Sequence, residues 1–469
     1  MTRPEAASSF SRLAACVALV AGLAWLGSAA NGGWLVWALV AVPSSILVAS
    51  GLVAALWPGD PRPLQAGALA AAIGVGLGLI SFAWAGFLAG ITLILLSAAA
   101  FVAMGWLSLA QEVPTRDVPR NQRSLALASW VAVDEALLGG VVTLALRRRQ
   151  AGVLTEGAAA LEFFRDRGWL EKPDTYHATP PPLEKISLRP ARSRDIAFEH
   201  LSFESGYEPH AGEPGRERWL GYDSCRTAHA WVMRQASPDR PWLVCIHGLQ
   251  MGWPLADFAA FRAQWLHRRL GLNLLFPVLP FHGPRGHGRI SGNGFLSEQF
   301  LDTIHAFAQA GWDLRRLLSW IRLQGATRVG VHGISLGGYT TALLASLEGD
   351  LACAIAGIPA VDFAGLAWRH APPYALARFE REGLGREELE ALLRPVAPLA
   401  LAPKVPQERR YLYAGTADRL VPPEQVRALW RHWGEPPIHW YTGAHVSFLL
   451  DAGVRGFIGG ALRNSDLVH

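Results

Sequence analysis

At 469 residues the chain exceeds the roughly 250–300 residues at which a single core stops growing, so more than one folding unit is expected. It is 51% hydrophobic and only 17% charged, against about 25% charged in an ordinary soluble domain, which directs attention to the membrane. The net charge of +5 comes with no Lys/Arg block interleaved with aromatics, so nucleic acid is not expected as a partner and a bilayer surface is the better counterpart. Cys16, Cys225, Cys245 and Cys353 are scattered, without C-x-x-C spacing or a secreted framework, so neither a zinc cluster nor disulfide stapling is indicated.

Between Arg12 and Asp60 lie 47 residues without a charge, and between Arg62 and Glu112 another 49. Each block accommodates two spans of about 20 residues. Hairpin tips at Ser28–Gly33 and Ser81–Gly86 divide them into four predicted helices, over 13–30, 34–57, 64–83 and 87–109. Residues 1–123 thus read as an all-α transmembrane region, with small residues in GALAAAIGVGLG allowing close helix approach. Arg3, Arg12, Arg62, Arg116, Arg120 and Arg123 all fall on one side of these spans, while both tips are uncharged. The positive-inside rule then places both termini, and the second half of the chain, in the cytoplasm. A cleavable signal peptide is the rival for the first segment, because GSAA offers small residues at its end; the next apolar block begins too soon after it.

The stretch Leu125–Leu146 is apolar but holds Asp134 and Glu135. As a fifth span it would bury a central Asp at about 2.5–3.5 kcal/mol and place Arg147, Arg148 and Arg149 on the wrong side. An interfacial helix, or one packed on the other spans, is the preferred reading. Residues 124–189 are accordingly assigned to this interfacial helix and a linker region, in which AGVLTEGAAALEFFRDRGWL reads as helix-like and the Pro-rich EKPDTYHATPPPLEKISLRPARSRD as an extended connector.

From about residue 190 strands and helices alternate. PWLVCIHG, LNLLFPVLP, TRVGVHG, LACAIAGIPA, RRYLYAG and IHWYTG read as buried strands, and DFAAFRAQWLHRRLG, YTTALLASLEG and PEQVRALWRHW as helices between them. Cys245 and Cys353 fall within these strands as small core residues. Such alternation implies an α/β fold, a mainly parallel sheet covered on both faces, whose chemistry collects at the carboxyl ends of the strands.

One turn stands out. Gly333-Ile334-Ser335-Leu336-Gly337 is G-x-S-x-G between a predicted strand and a predicted helix, the setting of a nucleophile elbow. So sharp a turn strains the serine, and side chains two positions either side would collide with the neighbouring strand and helix, hence glycine there. Residues 190–469 therefore resemble the α/β-hydrolase superfamily. That resemblance implies a triad in the order Ser, acid, His, and the matching positions are Asp418 in YLYAGTADRLVPPEQ after the next-to-last strand and His445 in YTGAHVSF after the last. It also implies an oxyanion hole from the backbone N–H groups of Leu336 and Leu249, the latter following the His247-Gly248 pair. Asp362, after the preceding strand, is the alternative acid. His332 and His439 lie inside strands and read as structural, His282 and His287 as parts of a rim loop, and Asp418 beside Arg419 could instead form a solvated ion pair.

Residues 361–406 occupy the place of the family's cap, with Trp368 and Tyr374 available to line an apolar entrance. The function these features imply is a membrane-anchored serine esterase or lipase-like enzyme acting on a small-molecule or lipid ester, without metal or other cofactor. An acyltransferase with the same triad and a scaffold that keeps the fold without turnover are the competing readings; a transporter is disfavoured because the four spans hold no charged residue. The sequence carries no signal for oligomeric state.

Overall fold

A computed structural model describes residues 9–30, 32–145, 153–237, 239–297, 299–381 and 383–468. Arg3 and Arg147–Arg149, which entered the orientation argument, lie outside the described residues. The charge-free blocks form α1 (Ser9–Ala29), α2 (Gly33–Leu56), α3 (Arg62–Ala85) and α4 (Phe87–Ala110), all four long and apolar enough to cross a membrane. Small residues such as Ala15, Ala18, Ala68, Ala71 and Ala100 fill the inside of the bundle, while Trp34, Leu35, Val42, Leu79 and Leu88 are exposed on its outside. An outer surface this apolar suits lipid and not water.

The next helix, α5 (Leu125–Ala145), packs on α3 and α4 near the ends that face the rest of the protein. A Cβ at Gly105 would overlap the Ala128 carbonyl, so this glycine lets the two backbones touch where α5 crosses the last turns of α4. Three residues further on, Ser108 Oγ donates to Glu135 Oε1 at 2.6 Å, and Gly139 faces the Gln65 carbonyl in the first turn of α3. The helix thus lies between the bundle and the second half of the chain, where its Asp134–Glu135 pair meets polar partners.

The second half is built on one nine-stranded sheet: β1 (Ser187–Ser193), β2 (Ile196–Glu204), β3 (Thr227–Met233), β4 (Trp242–Ile246), β5 (Asn273–Val278), β6 (Val329–Ile334), β7 (Cys353–Gly357), β8 (Arg410–Gly415) and β9 (Ile438–Tyr441). Its order is β1-β2-β3-β5-β4-β6-β7-β8-β9. Pairings up to β3–β5 are antiparallel and those from β5 to β9 parallel. Period-two alternation divides the strands between two cores: Trp242, Val244 and Ile246 face one, with the helices Phe300–Leu323 and Leu336–Leu347, and Leu243 and Cys245 face the other, with Ala452–Asn464. An antiparallel start followed by parallel strands, with β5 and β4 exchanged in the order, is the α/β-hydrolase arrangement, and the helices Phe363–His370, Pro373–Arg381 and Arg386–Leu393 form a short helical cap.

The helix-like stretch and the Pro-rich connector expected ahead of residue 190 both pack on the second half of the chain. Beyond α5, helix α6 (Val153–Asp166) buries Ala160 and Phe164 in the hydrolase core, and its Gly157 faces Leu384 and Leu392 of the cap. Tyr176 and Leu183, within the Pro-rich segment, are buried in the same core, so the described hydrolase unit begins at Val153 and not at residue 190. The physical reason is amphipathicity: a helix with one apolar face must bury it, and the helices that receive this face, Phe300–Leu323 and Arg386–Leu393, lie well over 100 positions away in sequence.

Candidate active site

The elbow forms as its glycines require. Ser335 sits between β6 and the helix Leu336–Leu347 with φ 55° and ψ −114°, a strained conformation for a residue with a side chain. A Cβ at Gly337 would overlap the Ile246 carbonyl of β4, and one at Gly333 would strike the Gly337 carbonyl and Thr341. The turn is pinned by the Ser335 N–H donating to Gly357 O at 2.9 Å and the Tyr339 N–H to Ser335 O at 3.0 Å. Ser335 is partly exposed while the residues on both sides of it are buried. Leu336 opens the helix, and the N–H groups of a first helical turn have no partner within their own helix.

Asp418 and His445 come from the loops after β8 and β9, at the same carboxyl rim of the parallel strands as Ser335. His445 Nδ1 lies 2.6 Å from Asp418 Oδ2, and the other carboxylate oxygen accepts the Val421 N–H at 2.8 Å. Both side chains are almost fully buried. Burial disfavours the imidazolium, but the Asp418 charge and hydrogen bond, with the Asp134 charge behind them, outweigh it and hold the His445 pKa above its ordinary 6.5.

The remaining sequence candidates fall as follows. His247 is buried after β4, accepts the Leu279 N–H on Nε2 at 3.1 Å and turns Nδ1 to Gly248 O at 2.8 Å, so it ties the loop after β4 to β5. Burial lowers its pKa to about 4 and keeps it neutral. Gly248 runs past Ser335, where a Cβ would lie 3.6 Å from Ser335 Cβ, and Leu249 follows it at the edge of the core. Asp362 caps the helix Phe363–His370 through the Gly365 N–H at 2.7 Å and pairs with Arg386 at 3.4 Å, away from the His445 contact that Asp418 makes. His332 is buried against the Tyr413 hydroxyl at 3.0 Å, His439 lies 3.6 Å from Asp451, and His282 is buried with Nδ1 2.9 Å from Pro280 O. Trp368 is half-buried against the main core, and Tyr374 is largely exposed.

Sequence reasoning missed what surrounds the two loops. Arg419 pairs with Glu112 at 3.2 Å, so it serves the junction with the bundle and not its neighbour Asp418. Asp134 Oδ2 accepts the backbone N–H of Arg419 at 3.0 Å and of His445 at 2.9 Å. Burial foremost, and then the Asp418 charge, push the Asp134 carboxyl well above the ordinary carboxylate range. Ala417 and Ala444, each just before one of the two loop residues, pack with Leu109, Leu127, Ala128 and Val131 of α4 and α5. The one available signal was an acidic pair inside an otherwise apolar helix. A separate cavity of about 480 Å³ at this junction is lined by residues including Gln65, Glu112, Glu135, Arg369, His370 and Arg419, and Ser335 is not among them.

Residues 313–433 match the model of the prolyl oligopeptidase family, Peptidase S9, over the stretch that contains the elbow and Asp418. Among solved structures, acetyl xylan esterase 1 of a Thermoanaerobacterium species is 16% identical with TM-score 0.44, covering 64% of this chain and 93% of its own. Acylaminoacyl peptidase of Pyrococcus horikoshii is 15% identical with TM-score 0.36, covering 60% and 42%. Two proteins of Mycobacterium tuberculosis, MT2702 and Rv2627c, are each 44% identical over 373 residues, 78% of this chain and 89% of theirs. Identity at that level over most of both chains makes this protein a member of the same family as MT2702 and Rv2627c.

Proposed function

We propose that the protein is a membrane-anchored serine hydrolase that cleaves a carboxylic ester through Ser335, His445 and Asp418. The observation that carries this reading is the pairing of a strained, partly exposed serine elbow with a buried His445–Asp418 hydrogen bond of 2.6 Å on the same strand rim. In this mechanism His445 Nε2 takes the Ser335 hydroxyl proton as Oγ attacks the acyl carbon, while Asp418 fixes the tautomer with the proton on Nδ1 and stabilises the imidazolium. The tetrahedral oxygen is met by the N–H groups of Leu336 and Leu249. Collapse expels the alcohol, which receives the proton from His445. Water, deprotonated by the same imidazole, then attacks the acyl-enzyme and releases the acid and free Ser335.

A site beside a bilayer favours a hydrophobic acyl ester, such as a lipid. Turnover of p-nitrophenyl esters should rise with acyl chain length, and a preference for acetate would count against the lipid. The pH profile follows from the raised His445 pKa: the base works only when neutral, so kcat/KM should fall as pH drops through an apparent pKa above 6.5. A limb clearly below 6.5 would contradict the assignment of His445. The match to the prolyl oligopeptidase family favours a second reading, in which the acyl group is that of a peptide. Assaying a chromogenic peptide anilide beside the esters separates the two.

The hydrolase half is assigned to the cytoplasm by the arginines at the hydrolase-side ends of α1, α3 and α4. Green fluorescent protein fused at the carboxyl end should therefore fluoresce, whereas alkaline phosphatase fused there should stay inactive; the opposite pair of results overturns the orientation.

A further inference from the structure

We infer that Asp134, on the helix between the bundle and the hydrolase half, is a positioning residue for the catalytic loops. The inference rests on the triad reading above. One carboxylate oxygen accepts two backbone N–H groups, from Arg419 at 3.0 Å and His445 at 2.9 Å. These amides belong to different loops, one following β8 and the other following β9. They flank the 2.6 Å Asp418–His445 hydrogen bond, so the spacing of the two loops is set from outside the sheet by a residue of α5.

Three further contacts bring the same region to the same place. Asn121, in the connection between α4 and α5, donates to the Thr416 carbonyl at 2.8 Å, two positions before Asp418. Glu112, at the start of that connection, holds Arg419. Ala417 and Ala444 are closed off from water by Leu109, Leu127, Ala128 and Val131. The hydrolase half does not complete its own site; the segment next to the membrane does.

Burying an acidic side chain on an apolar helix is costly, and an apolar side chain of similar size would serve packing alone at least as well. What the carboxylate adds is the pair of hydrogen bonds. Asp134 Oδ1 has no partner among the described residues, so both bonds fall on Oδ2. An asparagine can place its amide oxygen at that point and keep both bonds without the charge, whereas a leucine keeps the volume and loses them.

The test uses the full-length protein in detergent or nanodiscs and two readouts. The first is the rate of fluorophosphonate labelling, together with kcat and KM on a p-nitrophenyl ester. Asp134→Asn should stay within about threefold of the native rate, and Asp134→Leu should slow labelling and kcat by roughly tenfold to a hundredfold with KM unchanged, the scale of a misplaced catalytic group. The second is backbone amide exchange in peptides that carry Arg419 and His445, which Asp134→Leu should accelerate and Asp134→Asn should not. Exchange reports the two hydrogen bonds whether or not the serine reacts, so a native protein that fails to label sinks the triad reading and leaves this test standing. If Asp134→Leu does not fold, Asp134→Ser, too short to reach both amides, replaces it with the same expectations. Native labelling and native exchange in a folded Leu or Ser variant, or an Asn variant as slow as the Leu one, would overturn the inference.

Discussion

Ser335→Ala is expected to reduce ester turnover by roughly ten-thousandfold to a millionfold, the range in which removal of a serine nucleophile leaves only the contribution of binding and the oxyanion site. The elbow itself should survive. Its shape comes from Gly333 and Gly337, each of which faces a carbonyl that a side chain would overlap, and from the Ser335 N–H bond to Gly357 O, and none of these depends on the hydroxyl. The thermal midpoint of the variant should match that of the native protein. A large loss of stability would mean that the hydroxyl has a structural part, and near-native turnover would mean that another group is the nucleophile.

The second large effect separates the two candidate acids. Asp418→Asn should lower kcat by about ten-thousandfold, because an amide at 2.6 Å from Nδ1 can present its N–H and turn the imidazole to the wrong tautomer. Asp362→Asn should change kcat less than about threefold: asparagine is as good a helix cap as aspartate, and the Arg386 pair it would lose is partly exposed and contributes at most about 1 kcal/mol. Steady-state kinetics on one ester decides between them. If Asp362→Asn is the crippled variant, the acid has been misassigned and the hydrogen bond that Asp418 accepts from His445 serves another purpose.

What could be read from sequence, and what could not, follows the range of the forces involved. The four bundle helices were legible because 47 and 49 uncharged residues in succession have few other uses, and the observed ends lie within a few residues of the predicted ones. The elbow was legible because its glycines answer to atoms nearby in the turn and in the adjacent strand. The place of α6 was not, because the apolar surfaces that receive it belong to the cap and the core, far along the chain. Asp134 shows the limit most clearly. Its acidity inside an apolar helix was visible as a cost of membrane insertion, but its two hydrogen-bond partners lie 285 and 311 positions away, and no local pattern marks a backbone N–H as one that waits for a distant carboxylate. The same holds for Arg419, whose adjacent Asp418 suggested a pair, whereas its ion partner is Glu112, 307 positions away.

The central claim is that the Ser335 hydroxyl becomes a nucleophile at this rim. Intact native protein treated with a fluorophosphonate, digested and mapped by mass spectrometry addresses it most directly. The account predicts a single phosphonylated peptide with the adduct on Ser335, formed more slowly as the pH falls below the His445 pKa. An adduct on a different residue, or no adduct on folded protein at a pH where His445 is neutral, would contradict it.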